Sequence, residues 1–196
     1  MATTLTNFQV QPGLADQTAA APTVADPAPL GLAAFALTTF VLSSVNAGLV
    51  PKGAEPVVFG LAAAYGGIAQ FGAGMWEFQR KNTFGATAFT SYGAFWISFA
   101  LLVTLYIGKI PAENVPVAVG LFLLAWSIFT TYMTIEARKH ATPVFVTFCL
   151  LTPTFYLLAF GALFGMPMLS QFGGYLGLLT AFAAWYASYA SLSKAG

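Results

Sequence analysis

The sequence predicts an all-α integral membrane protein, a bundle of six transmembrane helices with both termini in the cytoplasm. Composition is the first reason, since 58% of the 196 residues are hydrophobic and 7% are charged, whereas soluble domains carry about a quarter charged residues. The second reason is that six runs of about 20 residues or more contain no charged side chain, and about 20 apolar helical residues cross a bilayer core. We therefore expect a multi-pass protein of the cell membrane.

The chain is expected to form one transmembrane domain over residues 26–192, preceded by a tail over residues 1–25. The helices are predicted over residues 30–50, 57–76, 85–108, 115–135, 143–165 and 169–190. The tail is Ala, Thr, Gln, Pro and Asp in no periodic order, without the basic and apolar regions of a signal peptide. Such a composition is typical of disorder.

The first helix begins with a short proline-rich segment. Its residues are Asp26, Pro27, Ala28, Pro29, Leu30 and Gly31. Asp is a favoured N-cap residue, and Pro is tolerated in a first turn because its missing N–H is not needed there. The segment is therefore either a rigid helix start at the membrane surface or a turn whose free N–H groups suit an anion. The residues alone leave both interpretations open.

Neutral polar residues concentrate in helices 1 to 3. Thr38, Thr39 and Asn46 stand on the first helix, Gln70 on the second and Tyr92 on the third. An amide in hydrocarbon has several hydrogen-bonding groups to satisfy, so it should face another helix or water. We expect these helices to supply a polar lining, although a Thr hydroxyl also bonds readily to a carbonyl of its own helix.

Helices 4 to 6 are predicted from their length and apolar character, and they contain glycines at GxxxG spacing. The pairs are Gly161 with Gly165 and Gly173 with Gly177. Such pairs let helix backbones approach closely, either within one protomer or between protomers.

The basic residues of the connections predict the orientation. Five of the seven Lys and Arg residues fall on the predicted side of the two termini, namely Arg80, Lys81, Arg138, Lys139 and Lys194. Lys52 and Lys109 fall on the other side. The positive-inside rule therefore places the termini in the cytoplasm.

Charge and cysteine content exclude several functions. The net charge is +1 and no basic cluster exceeds residues 138–140, which argues against nucleic-acid binding. Cys149 is the single cysteine, so we expect neither a disulfide nor a thiolate metal site, and no metal or other cofactor. An enzyme needs a constellation of reactive side chains facing its substrate, and no catalytic residue is predicted.

Ionisable residues are expected only at the helix ends, as for Glu77, Glu136 and His140. An ionisable residue at membrane depth usually marks an ion path or a proton relay, and the sequence predicts none. A transported solute would then meet neutral polar groups or cross in a neutral form. Both routes favour a small weak acid over a metal ion.

Several segments resemble the acetate uptake transporters, the YaaH and SatP type of acetate and succinate permeases. DPAPLGL at residues 26–32 resembles the NPAPLGL signature of that family, and residues 35–48, 64–78 and 81–96 resemble further family segments. The resemblance implies a six-helix protomer, a homo-hexamer with one path per protomer, and proton-coupled uptake of acetate and related monocarboxylates, sometimes succinate. Helices 4 to 6 match mainly in hydropathy and length.

The resemblance also implies a narrow constriction of a Phe, a Tyr and a Leu. Phe35 and Tyr92 fall on the motif positions, and Leu151 is assigned by its spacing after Trp126. Asn46 and Gln70 are the implied lining amides. An apolar ring is a barrier to hydrated ions, so the acid would cross in neutral form. Alternatively, it would cross as an anion that the hydroxyl groups of Thr38, Thr39 and Tyr92 hydrogen-bond.

Two residues depart from the family pattern. Asp26 replaces the Asn of the signature, and Lys81 replaces the Gly of the family's GNTFG turn. Asp caps a helix as well as Asn does. An added carboxylate near the path would repel a carboxylate substrate, an effect that Lys81 would partly offset if the two lie close together. A channel for another small neutral solute, such as ammonia or urea, and a membrane sensor or scaffold without transport remain alternatives.

Overall fold

The computed structural model describes residues 24–195, which form six long helices and no β-strand. The helices are α1 (Ala28–Asn46), α2 (Lys52–Gln79), α3 (Thr83–Lys109), α4 (Ala112–Ala137), α5 (Thr142–Leu163) and α6 (Pro167–Ala195). The predicted all-α bundle is confirmed. Almost all of the expected disordered tail lies outside the described residues.

Helices α1 to α5 are each long and apolar enough to cross a membrane. Helix α6 has 29 residues, but Ser, Gln, Gly and Tyr residues make it more polar than the others. Several helices extend beyond the apolar runs of the sequence. Helix α2, for example, begins with a 3-10 turn at Lys52–Ala54, before Pro56 enters the first α-helical turn.

Helices α2 and α3 each contain a wider π-helical segment. The segments are Ala64–Ala69 in α2 and Leu102–Tyr106 in α3. Within the first, Gly66 packs so closely on α1 that a Cβ there would lie 2.9 Å from Cβ of Thr38. A π segment holds an extra residue per turn and often occurs next to a functional site. The segment in α2 ends immediately before Gln70 and so sets the direction in which that side chain points.

The helices pack as α1 on α6, α6 on α5 and α5 on α4, while α2 packs on α3. Small residues allow several of these contacts. Gly174 packs against the α1 backbone at Ala47, and Gly177 packs against Ser43 of α1. Gly161 packs against Ser170 of α6. Gly161 and Gly177, which belong to the GxxxG pairs, therefore make contacts inside one protomer, as does Gly174, whereas Gly165 follows the end of α5 with a φ of +59°.

The start of α1 is held by Asp26 and by α6. Pro27, and not the predicted Asp26, is the N-cap residue of α1, although the backbone N–H of Ala28 donates to Oδ1 of Asp26 at 3.1 Å. Asp26 also forms an ion pair with Arg80 at the end of α2. The hydroxyl of Ser188 donates to the carbonyl of Pro29 at 2.7 Å. The beginning of α1 is thus tied to both α2 and α6.

Candidate functional site

Two cavities meet inside the bundle. The first has a volume of about 160 Å³ and extends inward from the helix ends near Asn82 and His140; we call it the His140 cavity. The second has a volume of about 200 Å³ and extends inward from Asn46 on the opposite side; we call it the Asn46 cavity. Phe35 and Leu151 line both cavities. The two spaces are therefore in series, with these side chains between them.

Phe35, Tyr92 and Leu151 come together where the cavities meet, and we call this group the junction. They come from α1, α3 and α5, and each is between 3% and 5% exposed. The ring centroids of Phe35 and Tyr92 are 5.8 Å apart, with an angle of 58° between the ring planes. Three side chains that the sequence assigned to a constriction thus form a compact apolar contact between two cavities.

The Tyr92 hydroxyl is directed at α4. It lies 2.9 Å from Oγ1 of Thr130, and that Oγ1 lies 2.8 Å from the carbonyl oxygen of Trp126. Because the single hydroxyl hydrogen of Thr130 is donated to Trp126, Tyr92 must be the donor to Thr130. The Tyr92 ring therefore lines the His140 cavity, while its O–H is donated to Thr130 and is not free to bind a substrate. Thr130 was not predicted as a residue of the site. The one feature of the sequence that could have indicated it is a hydroxyl group in the middle of an apolar helix.

The predicted polar lining residues separate into two groups. Thr39 and Asn46 line the Asn46 cavity, and Gln70 lines the His140 cavity. Thr38 lines neither of them, because it packs on Gly66 and its hydroxyl donates to the carbonyl of Ala34 at 3.0 Å. Neither Oγ1 of Thr39 nor Oε1 of Gln70 has a hydrogen-bond partner, although both atoms are buried.

The proline-rich segment mainly fixes α1 against its neighbours. Gly31 packs against the ring of Phe89, where a Cβ would lie 2.7 Å from the ring carbons. Ala28 lines the His140 cavity, but its N–H already donates to Asp26. Leu30 is 45% exposed on the outside of the bundle. These contacts match the rigid helix start among the two interpretations of this segment.

Lys81 was expected to offset part of the negative charge of Asp26, but the structure pairs Asp26 with a different cation. Arg80 forms the ion pair with Asp26, while Lys81 occupies the turn between α2 and α3 with a φ of +58°. A positive φ is easily adopted by Gly, which accounts for the family's preference for Gly at this position.

Glu77 is a residue of the site that sequence reasoning missed. It stands near the end of α2, as expected, but it is 0% exposed and lines the His140 cavity. Its Oε2 accepts a hydrogen bond from Nδ2 of Asn82 at 2.9 Å, whereas its Oε1 has no partner. The spacing of Glu77 in the sequence could have indicated its place in the cavity wall. Glu77 follows Gln70 by seven residues and so lies on the same helix face.

The turn between α2 and α3 holds the Glu77 carboxyl group in place. Oδ1 of Asn82 accepts from the backbone N–H of Gly85 at 3.1 Å and caps α3. A Cβ on Gly85 would lie 2.9 Å from Cδ and Oε1 of Glu77. Only a glycine at position 85 leaves room for the carboxyl group in this position.

Aromatic side chains complete both cavities. The ring of His140 stacks on Phe84, with 4.0 Å between the ring centroids, and both residues line the His140 cavity. Trp96 lines the Asn46 cavity, and its indole N–H is buried without an acceptor. Within residues 24–195, no group of three or more His, Cys, Asp or Glu residues could hold a metal ion.

The fold and the cavities define a multi-pass α-helical membrane protein whose helices enclose two spaces joined at an apolar contact. A sequence profile of the GPR1/FUN34/yaaH family matches residues 7–196. The chain belongs to this family.

Three curated relatives illustrate the range of the family. Acetate permease A of Emericella nidulans is 44% identical over 94% of this chain and 67% of its own length. Ammonia transport outward protein 2 of Saccharomyces cerevisiae is 41% identical over 86% of this chain and 62% of its own length. The succinate-acetate/proton symporter SatP of Escherichia coli is 38% identical over 83% of this chain and 86% of its own length.

A solved structure of the bacterial acetate channel SatP has the same fold. It superimposes with a TM-score of 0.79 at 36% identity, covering 85% of this chain and 91% of the SatP chain. The chain spans 62 to 67% of the length of the fungal relatives that it matches.

Proposed function

We propose that this protein moves acetate and related short monocarboxylates across the membrane, with succinate as a further candidate substrate. The path runs through each protomer, from the His140 cavity past the junction to the Asn46 cavity. The observation that carries this proposal is the meeting of two cavities at three buried apolar side chains. The names of the bacterial and Emericella relatives support the choice of substrate.

The contacts at the junction favour passage of the neutral acid. Of the three hydroxyl groups that could accompany an anion, Thr38 donates to Ala34 and Tyr92 donates to Thr130. Thr39 alone has no partner. A carboxylate that entered the junction would lose its water without gaining enough donors, which is costly in an apolar site. A small protonated acid loses much less, so a proton accompanies each substrate molecule.

The cavity volumes suit a small solute. A water molecule occupies about 30 Å³ in the liquid, so spaces of about 160 and 200 Å³ accommodate a two- or three-carbon acid together with some water. The junction then acts as the element that limits substrate size.

The outer surface is consistent with a bilayer and with further protomers. Helices α2, α4 and α6 carry large apolar side chains that are more than half exposed, namely Ile68, Trp76, Leu121, Tyr132, Phe182 and Tyr189. Lipid tails or neighbouring copies must cover them. We propose a homo-hexamer, as the family resemblance implies, and native mass spectrometry of the detergent-solubilised protein measures the number of protomers directly.

The test is uptake of labelled acetate into proteoliposomes of the purified full chain, with an imposed pH gradient and, separately, an imposed voltage. Empty liposomes given the same gradients are the control, because acetic acid also crosses lipid unaided. We expect accumulation above that control under the pH gradient, with little response to voltage. The same level as in empty liposomes, with folded protein confirmed, would overturn the proposal.

A second candidate function is the passage of ammonia, which the name of the Saccharomyces relative supports. Labelled methylammonium is the probe in the same proteoliposomes. Uptake of methylammonium without uptake of acetate would select this function instead.

A further inference from the structure

We propose that the carboxyl group of Glu77 exchanges protons with the substrate carboxylate inside the His140 cavity. This inference rests on the proposed transport of carboxylic acids and adds the residue that links transport to protons.

Glu77 places an incompletely bonded carboxyl group in the wall of the His140 cavity. Glu77 is 0% exposed, and the carboxyl group receives a single hydrogen bond, from Asn82 to Oε2. Oε1 is buried and has no partner. Buried polar groups are nearly always hydrogen-bonded, so an unpaired one requires an explanation. A proton shared between Oε1 and a substrate carboxylate supplies the missing bond.

The charged and neutral groups around Glu77 come from several helices and turns. On α2, Arg80 is the neighbouring cation, and its guanidinium forms an ion pair with Asp26 at the start of α1. The facing part of α3 contributes Asn82 and Gly85, which are neutral. The segment before α5 contributes His140, whose ring stacks on Phe84.

Lys81 lies in the adjoining turn, and α6 contributes the neutral Ser191 to the cavity wall. Among the described residues, Glu77 forms no ion pair. Its carboxyl group is therefore available for proton exchange in a way that a salt-bridged carboxylate is not.

Glu77 and Gln70 lie one after the other along the path through the His140 cavity. Gln70 lies seven residues earlier on the same helix face, which is about 10 Å deeper along α2, and it also lines the His140 cavity. Its amide can donate to and accept from a carboxyl group. A substrate that leaves Glu77 therefore meets Gln70 before it reaches the junction.

The step balances without any further reactant. The O–H bond at Oε1 of Glu77 breaks, the proton forms a new O–H bond on the substrate carboxylate, and Glu77 becomes the carboxylate. The neutral acid continues past the junction, and Glu77 then takes a proton from water near the end of the cavity. Transport in the opposite direction reverses these steps.

The experiment compares Glu77→Gln with the wild type over a range from about pH 6 to about pH 8, always after subtraction of empty liposomes. Free neutral acid falls about tenfold per pH unit in this range. External acid enters the His140 cavity first in those reconstituted molecules whose His140 cavity faces the medium. If Glu77 supplies the proton there, uptake by the wild type falls much less steeply than the free acid does. Glu77→Gln cannot supply a proton, so its uptake should follow the free acid, at about tenfold per pH unit.

Two controls make the comparison specific. Glu113→Gln removes an exposed carboxyl group that lines neither cavity, and it should keep the wild-type pH profile. Glu77→Asp keeps a carboxyl group on a shorter stem, and it should keep the shallow profile at a lower rate. Thermal unfolding of each variant shows whether it is folded.

Each outcome decides whether Glu77 exchanges protons with the substrate. A wild-type profile that already falls about tenfold per unit overturns the inference without any variant. A Glu77→Gln profile parallel to that of the wild type overturns it as well, as does a folded variant that stays inactive at low pH, where the free acid is abundant. Absence of uptake by the wild type at every pH is different, because it rejects the proposed function itself.

Discussion

At the residue scale, the three junction side chains act through shape more than through hydrogen bonding. Phe35 and Leu151 offer only apolar atoms, and the O–H of Tyr92 is donated to Thr130 on α4. The contribution of Tyr92 to selectivity should therefore come from its ring. The hydroxyl group instead fixes the orientation of the ring, because it anchors the phenol to a second helix.

This division of roles predicts different effects for two substitutions at Tyr92. Tyr92→Phe keeps the ring, so relative uptake of acetate, propionate and butyrate should be unchanged, with a loss of stability of about 1 kcal/mol from the missing hydrogen bond. Tyr92→Ala and Phe35→Ala open the junction, and propionate and butyrate should gain about tenfold relative to acetate, since one methylene is worth that much in a tight apolar site. The measurement is competition between the three labelled acids in proteoliposomes. Unchanged ratios in both alanine variants would remove these residues from the constriction.

Two adjacent threonines show that the sequence alone does not predict which side of a helix faces the cavities. Thr38 and Thr39 were assigned to the same lining, but Thr39 lines a cavity while Thr38 packs on Gly66. Consecutive residues of a helix point about 100° apart, and composition does not reveal which of them faces inward. Phe35 and Tyr92 were grouped by motif, and Leu151 was added by spacing. In the structure these three residues lie together where the two cavities meet. The burial of Glu77 was missed because its position near a helix end indicates solvent, and only the contacts of Asn82 and Gly85 enclose it.

At the scale of the helices, α2 contains a π-helical segment and two of the polar residues that line the His140 cavity. Its π segment precedes Gln70, and its last turns hold Glu77 against α3. The two helices approach closely at Gly74, where a Cβ would meet the backbone of Thr90 and lie 2.9 Å from its Cα. This close approach keeps the polar face of α2 at the wall of the His140 cavity.

The α2–α3 contact predicts a contrast between two glycines of one helix. Gly74→Ala should destabilise the protein by about 1–3 kcal/mol, since backbone cannot move aside as a flexible side chain can. Gly72→Ala is the matched control, because a Cβ at that position meets nothing within 4 Å. Thermal unfolding of both variants in the same detergent measures the difference. Equal melting temperatures for the two variants would show that the contact at Gly74 is looser than described.

The existence of the helices could be predicted from the sequence, whereas the geometry inside them could not. Runs of apolar residues predicted where the chain is helical, because the bilayer requires every backbone group to be bonded within the helix. The π segments were not predicted, since residues Ala64–Ala69 are as apolar and small as an ordinary membrane helix. In the first segment, Gly66 packs against Thr38 of α1 and Gly67 against Ile97 of α3, and such contacts between helices cannot be read from composition.

At the scale of the whole molecule, the distribution of basic residues predicts how the bundle sits in the membrane. The turns at residues 80–82 and 138–141 should face the cytoplasm, and so should the His140 cavity between them. The connections near Lys52 and Lys109 should face outward. Uptake into cells would then begin at the Asn46 cavity, the neutral acid would cross the junction, and Glu77 would receive its proton on the cytoplasmic side. Export would use the steps in the order in which Glu77 supplies the proton.

Single-cysteine labelling in intact cells tests this orientation. The background is Cys149→Ser, which removes the one native thiol. In that background, Glu113→Cys should react with a membrane-impermeant maleimide, and Lys139→Cys should react only after the cells are permeabilised. Both positions are exposed in the structure, so access to the reagent decides the result. The reverse pattern would invert the direction of the path.

The hydrogen bond from Ser188 to Pro29 joins residues 159 positions apart, and the packing of Gly174 on Ala47 lies on the same helix pair. The polar face of α1 is therefore sealed by the helix farthest from it in the described chain. Contacts between distant segments form slowly, because the intervening chain must first be ordered. Assembly in the bilayer should accordingly have a late, rate-limiting closure in which α6 docks on α1. Until that moment α1 is held by α2 and α3 alone, and the two cavities do not yet have a complete wall.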